Sequence, residues 1–243
     1  MLYILFSPSE GKNSGGTQHP FADLLFGNSA RATILDAYNE IITSGDLKVL
    51  QQLFGLKKES EIRPYINNLY TAPLLSAIER YSGVAYDYLD YSSLPTAAQK
   101  YIKKQTIIFS NLFGPIMAGD LIPNYKVKQG NAIGGIAPDK YYKDAFGPSL
   151  DALFEDAEIL DLRAGYYEKF YKISKPHTTL KFLKEGKVVS HWAKAYRGIV
   201  LRHLALEGIA SLDAFIKMEI DGLHVEEIKI TKNKREIVYA IKG

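Results

Sequence analysis

Five apolar residues in a row, Leu2-Tyr3-Ile4-Leu5-Phe6, end abruptly at Ser7-Pro8-Ser9-Glu10-Gly11. No basic residue precedes the run, and it is too short for the apolar core of a secretion signal, so it predicts a strand entering a protein core. Gln105–Ser110 repeats that character, with β-branched and aromatic residues leading into Asn111-Leu112-Phe113-Gly114-Pro115. Tyr125–Gln129, Ala157–Leu162 and Gly186–Trp192 are expected to be further strands. Val225–Ile230 with Glu236–Ile241, around Thr231–Lys234, reads as a hairpin.

Helical spacing fills the intervals. Ile34, Leu35, Tyr38, Ile41 and Ile42 recur with one buried stripe between Ala30 and Thr43, and Asp46–Phe54 forms a second helix stopped by Gly55. Pro73 and Pro95 suit the first turns of helices over Leu74–Tyr81 and Thr96–Lys103, where proline sacrifices no hydrogen bond. Asp144–Asp156, Ala193–Leu206 and Ser211–Met218 complete the set. Strands and helices interleave without a strict βαβ rhythm, which predicts an α+β protein: a single compact domain, residues 1–243, with a mixed β-sheet flanked by helices.

The 243 residues are 47% apolar, enough for a substantial core, and contain no cysteine. Disulfides, thiolate metal ligands and a thiol nucleophile are therefore excluded, in keeping with a cytoplasmic protein. No uncharged apolar stretch approaches the roughly 18 residues of a membrane span. The five histidines show no metal-ligand spacing, so no metal and no cofactor is expected. His191 follows a strand and is a possible base; there is no Gly-x-Ser-x-Gly elbow.

The net charge of +3 conceals an asymmetry: residues 1–160 carry −3 and residues 161–243 carry +6. Between 161 and 202, ten cations, among them Arg163, Lys172, Lys175, Lys194, Arg197 and Arg202, face only Asp161, Glu168 and Glu185. Such a block is either a solvated surface or a site for phosphate, on nucleic acid or on a small molecule. At helical spacing Lys194, Arg197, Gly198 and Arg202 share an arc of roughly 140°. That face could present point charges and a guanidinium fork to phosphates.

Ser9-Glu10-Gly11-Lys12 follows a strand as a phosphate loop would, but the Walker spacing fails, with Phe6 in place of the first glycine and Asn13 after the lysine. The loop remains a candidate site because a sheet fixes its position. Leu206-Glu207-Gly208-Ile209-Ala210-Ser211-Leu212-Asp213-Ala214 fits the helix-hairpin-helix pattern, in which hairpin N–H groups meet DNA phosphates, except that Ala210 replaces the second glycine.

Several elements occur in a telling order. Ser7-Pro8-Ser9-Glu10-Gly11-Lys12 is followed by Tyr81-Ser82-Gly83-Val84-Ala85-Tyr86, then by Phe109-Ser110-Asn111-Leu112-Phe113-Gly114 running to Asp120-Leu121-Ile122-Pro123-Asn124-Tyr125. Asp161-Leu162-Arg163 comes next, then Ser190-His191-Trp192-Ala193-Lys194-Ala195-Tyr196-Arg197-Gly198. The set resembles the YaaA family of bacterial peroxide-stress proteins over nearly the whole chain. The resemblance implies a cytosolic role limiting damage from hydrogen peroxide and free iron, and DNA binding through a positive cleft with a helix-hairpin-helix element. It carries family motifs onto Ser7, Lys12, Ser82, Tyr86, Gly114, Tyr125, Lys194, Arg197 and Gly198. The opening motif departs from the family's Ser-Pro-Ala-Lys-Thr: Glu10 replaces a small polar residue and Lys12 stands two positions further on. Asp161-Leu162-Arg163 departs from its Asn-Leu-Ala.

Two functions follow as expectations. In one, double-stranded DNA is bound without sequence preference through Ser7, Lys12, Arg163, Lys172, Lys175, Lys194, Arg197, Gly198 and Arg202. In the other, a cleft that also includes Glu10, Ser82, Tyr86 and Tyr125 serves an enzyme acting on a small phosphorylated or nucleotide-like ligand.

Overall fold

A computed structural model describes residues 1–241, without the side chains of Ser190 and His191. The apolar run at the start is strand β1, Leu2–Phe6, and β2 is the short Gly11–Lys12. Helices α1 (Ala32–Ser44), α2 (Leu47–Phe54) and α3 (Glu59–Ile62) follow. Next come β3 (Leu74–Ser76), α4 (Ala77–Arg80), β4 (Tyr81–Ser82), α5 (Val84–Leu89) and α6 (Thr96–Gln105). The middle of the chain holds β5 (Thr106–Ser110), β6 (Gly114–Met117), β7 (Leu121–Pro123), α7 (Pro138–Phe154) and β8 (Glu158–Asp161). The last stretch is β9 (His177–Lys184), β10 (Lys187–Val188), α8 (Ser190–Glu207), α9 (Leu212–Lys217), β11 (Leu223–Thr231) and β12 (Lys234–Ile241).

The main sheet runs β11-β12-β9-β8-β1-β5-β6, with β10 beside β9. From β12 to β5 neighbouring strands are parallel, while β11 and β6 close the two edges antiparallel. The fold is α+β with a mixed, helix-flanked sheet. β1 sits at its centre, with Leu2, Ile4 and Leu5 fully buried. Its neighbours were reached in opposite directions, since the chain passes from β1 to β5 on one side and later to β8 on the other. That reversal opens a crevice at the carboxyl ends of β1 and β8, where ligands of such sheets bind.

Local chemistry accounts for most boundaries. Asp46 Oδ1 accepts the Lys48 and Val49 N–H groups at 2.9 and 3.2 Å and starts α2, which Gly55 ends in the left-handed region at φ 67°. Ser211 Oγ caps α9 by accepting the Ala214 N–H at 3.2 Å. In α1 the buried stripe is Ile34, Leu35, Tyr38 and Ile42.

Four segments differ from the sequence expectation. Leu74–Ser76 is a strand, because it pairs with Leu121–Pro123 and bridges to Thr17; the helix there is confined to Ala77–Arg80. Tyr125–Gln129 has no strand pairing; its buried part, Tyr125–Val127, is held by Tyr38 Oη accepting the Lys126 N–H at 3.2 Å, and its exposed end by the Lys128 N–H bonding to the Leu53 carbonyl at 2.9 Å. In Gly186–Trp192 only Lys187–Val188 is strand, and α8 begins at Ser190. α7 starts six residues before Asp144, with Pro138 in its first turn.

Two fully buried arginines replace carboxylate partners with carbonyls. Arg31 donates to the Phe113, Pro115 and Gly27 carbonyls. Arg80 donates to those of Asn13, Gly15, Pro73 and Ile122, and so ties the chain leaving β2 to the segment that enters β3.

Candidate functional site

The crevice holds a cleft of about 370 Å³, within the range of small-molecule sites. One wall is the Ser7–Glu10 loop after β1, another is Gly83–Tyr86 at the start of α5, and a third comes from Leu162, Ala164 and Tyr167 after β8; Lys194 and Arg197 reach it from α8.

The Ser7–Glu10 loop is stitched on both sides. Ser7 Oγ accepts the Ala164 N–H at 2.8 Å, and the Ser7 carbonyl accepts the Tyr86 hydroxyl at 2.9 Å. Glu10 takes the Gln129 N–H at 3.0 Å and the Lys126 ammonium at 3.2 Å on its two carboxylate oxygens. Burial pushes the Glu10 carboxyl up, but these donors, with Lys12 nearby, outweigh it and hold the group below its usual range. The acidic departure in the opening motif is thus neutralised inside the protein.

Lys12 props the loop from beneath and does not line the cleft. Its ammonium donates to the Ser9 and Glu10 carbonyls at 3.2 and 3.4 Å and lies 4.0 Å from the centre of the Tyr125 ring. Burial, with Lys126 beside it, lowers its pKa to about 7, against the opposing pull of Glu10. Tyr125 is a core residue in a hydroxyl chain, 2.7 Å from Tyr81 Oη and 2.8 Å from Ser110 Oγ. Ser82 pairs with Gly11 across β2 and β4, away from the cleft. Gly114 stands at φ 68° against the Tyr142 ring, where a side chain would collide.

The basic face of α8 packs on α5 at Gly198 and Arg202 while Lys194 stays exposed, which divides its residues. Gly198 packs on the Ala85 carbonyl, with no room for a Cβ. Arg202 donates to the Leu89 and Asp90 carbonyls at 2.9 and 3.0 Å at the end of α5. Lys194 and Arg197 alone of that face enter the cleft. Burial lowers the pKa of Arg197, while Asp161 and Glu168 pull it back up. Among the described residues its guanidinium has no hydrogen-bond partner, so its donors are available to an acceptor in the cleft.

The other sequence candidates lie elsewhere. Arg163 is buried in a two-pronged pair with Asp161, both bonds 2.8 Å, and its remaining nitrogen donates to the Tyr167 and Tyr171 carbonyls. It positions the segment bearing Tyr167 rather than meeting a ligand. Lys175 donates to the Phe154, Glu155 and Ala157 carbonyls, closing the end of α7. Lys172 is exposed on the surface. The His191 side chain lies outside the described residues. Ser9 lines the cleft as part of the candidate loop, and Gln129 and Tyr167 line it without having been singled out: Tyr167 carries no local signal, and only the fold brings Gln129 to Glu10.

The turn between α8 and α9 sits by the amino end of β8, opposite the cleft. The Leu212 N–H is taken by the Glu158 carboxylate at 3.2 Å and the Ile209 N–H by the Leu204 carbonyl at 3.0 Å. A carboxylate therefore stands where a hairpin of the expected kind would receive phosphate. Among the described residues no three His, Asp or Glu side chains gather as a metal site, and no helix is long and apolar enough to cross a membrane.

Fold and site together define an α+β protein with a cleft, lined by Glu10, Lys194 and Arg197, at the switch point of its sheet. The chain belongs to the peroxide stress protein YaaA family, whose model matches residues 1–229. It is 44% identical over 244 residues to the Campylobacter jejuni protein Cj0984, covering 99% of each chain. It is 35% identical to a UPF0246 protein of Corynebacterium glutamicum, covering 93% of this chain and 95% of that one, and 30% identical to a UPF0246 protein of Streptomyces coelicolor, covering 86% and 85%. Membership gives the chain a role in the response to peroxide stress.

Proposed function

We propose that the chain serves the peroxide-stress response by binding, and acting as an enzyme on, a compact phosphorylated ligand of nucleotide size in the cleft between the Ser7–Glu10 loop and α8. The observation that carries this reading is Arg197: a part-buried guanidinium, without a partner among the described residues, lining with Lys194 a cleft of about 370 Å³. A part-buried guanidinium without a protein partner has lost some of its hydration, and an anion that accepts its fork offsets that loss. Glu10, already neutralised by Lys126, does not oppose such a ligand. Protection against free iron is then a consequence of what happens to that ligand. Thermal-shift titration with inorganic phosphate and nucleoside monophosphates tests the reading. Stabilisation should appear in the parent chain and weaken about ten- to hundredfold in apparent affinity in Arg197→Ala. Null shifts throughout, or equal shifts in both proteins, reject it.

A second reading, backbone contacts to double-stranded DNA, is favoured by one surface feature. Lys184 Nζ lies 5.3 Å from the ring centre of Trp192, which is 39% exposed, and the exposed Lys187 of β10 is paired with Lys184 of β9. Cations around an exposed aromatic suit a nucleic-acid strand. Fluorescence anisotropy over a salt series decides: binding with a steep salt slope that flattens in Lys184→Ala/Lys187→Ala supports DNA, and no binding at low salt rejects it.

A further inference from the structure

β11 ends the main sheet, with β12 on one side and no strand on the other among the described residues. Every residue from His224 to Thr231 is exposed, including Val225, Ile228 and Ile230 at 44, 43 and 71%. This is not an ordinary solvated strand face. Ile228 pairs with Ile237 and Val225 with Tyr239 on β12, both buried core residues, and paired residues share a face. The apolar stripe of β11 therefore continues the core face of the sheet past the point where it is covered. Beside it runs a row of backbone N–H and C=O groups facing outward, a ready template for another strand.

Proteins commonly protect such an edge with charge. Here the charges next to the central isoleucine alternate in sign, Glu227 on one side of Ile228 and Lys229 on the other. In an antiparallel pair of identical strands the two-fold axis must pass through a residue, because opposed residues share the same backbone orientation. An axis through Ile228 sets each Glu227 opposite the partner's Lys229 and each Ile228 opposite the partner's Ile228. Moving the axis to Glu227 sets two carboxylates face to face, and moving it to Lys229 sets two ammonium groups face to face. The Glu227–Lys229 ion pair made within each strand, at 3.1 Å, is exchanged one for one, two within strands for two between them. We infer that β11 is a self-recognition edge through which a second copy of this chain docks, antiparallel about Ile228, joining two sheets into one.

The charge pattern makes the test specific. Sedimentation equilibrium over a hundredfold dilution series should show the parent chain dimerising. Glu227→Lys and Lys229→Glu should each weaken the dimer by about tenfold or more, since each sets like charges opposite one another twice. An equimolar mixture of the two variants should restore it, because both cross-strand pairs are again of opposite sign. Both side chains are exposed, so circular dichroism and melting should be unchanged in either variant. The absence of native cysteine allows a second measurement. Directly opposed residues lie about 4.5–5.5 Å apart at Cα, within disulfide reach. Ile228→Cys should therefore crosslink under mild oxidation far faster than Ile230→Cys, which the axis sets opposite Glu226, the residue skipped where the β11–β12 register shifts between Val225 and Glu227. A parent chain that stays monomeric, a dimer indifferent to the charge changes, or equal crosslinking at 228 and 230 overturns the inference.

Discussion

Gly198 of α8 lies against the Ala85 carbonyl of α5, and a Cβ at position 198 would drive into that oxygen and come within 3.0 Å of the Leu89 nitrogen. This backbone-to-backbone contact sets the distance at which Lys194, one turn earlier on the same helix, and Arg197, the preceding residue, meet the Ser7–Glu10 loop. The glycine is required for packing rather than for an exposed backbone among cations.

Gly198→Ala tests that relationship. Alanine favours a helix over glycine by about 1 kcal/mol, but overpacking against a backbone that cannot rotate away costs about 1–3 kcal/mol. The clash wins, so urea denaturation should show net destabilisation. Phosphate-dependent thermal shifts should fall as well, because α8 must move outward.

Arg163 makes a different prediction. Removing its partner with Asp161→Ala leaves a buried guanidinium uncompensated, at a cost of about 3–5 kcal/mol. The paired replacement Asp161→Leu/Arg163→Met avoids that penalty and should lose less stability. It still removes the bonds from Arg163 to the Tyr167 and Tyr171 carbonyls. Limited proteolysis should then cut between residues 164 and 171 in the double variant and not in the parent chain.

How much of this was legible in the sequence depended on whether one residue's neighbours in the chain are also its neighbours in space. β1, β5, β8 and the helices with clear caps follow from local pattern and emerge at the expected positions. β9 was missed because Lys181 and Lys184 interrupt its apolar alternation, although Thr178 and Phe182 are buried in it. For the site, Lys194 and Arg197 were readable as a basic helical pair. That Arg163, Lys175 and Arg202 spend their donors on carbonyls or a carboxylate was not, since every partner but Asp161 and the Tyr167 and Tyr171 carbonyls is distant in sequence or set by a turn. A count of charges cannot distinguish a cation facing solvent from one closing a helix.

Lys12 should give the stability a distinct pH slope. Its pKa falls from 10.5 to about 7 on folding, through burial first and the neighbouring Lys126 next, while the Tyr125 ring offsets part of the cost of the buried charge. Below pH 7 both states carry the proton and the fold bears the whole penalty. Between about pH 7 and 10.5 the unfolded chain binds more protons than the folded one, so stability rises with pH. Buried tyrosines such as Tyr38 work the other way once the unfolded phenol ionises near 10.0. The measurement is therefore urea denaturation from about pH 7 to about pH 9.5. The parent chain should gain stability across that window, and Lys12→Met should flatten the gain.

The Glu10–Lys126 pair at 3.2 Å decides the sign of charge on one wall of the cleft. Lys126→Met leaves the Glu10 carboxylate hydrogen-bonded only to the Gln129 N–H, with Lys12 as the remaining nearby cation, so that its negative charge is less compensated toward any anion drawn to Arg197. Phosphate affinity should fall even though Lys126 is not among the cleft-lining residues. Glu10→Gln alone removes charge from the cleft and should leave affinity equal or higher. In the double variant the repulsion disappears with the carboxylate, so affinity should return toward the Glu10→Gln level. A double-mutant cycle on phosphate thermal shifts reads this coupling directly. If the Lys126→Met loss persists in full when Glu10 is already Gln, Lys126 acts on the ligand itself and not by neutralising its neighbour.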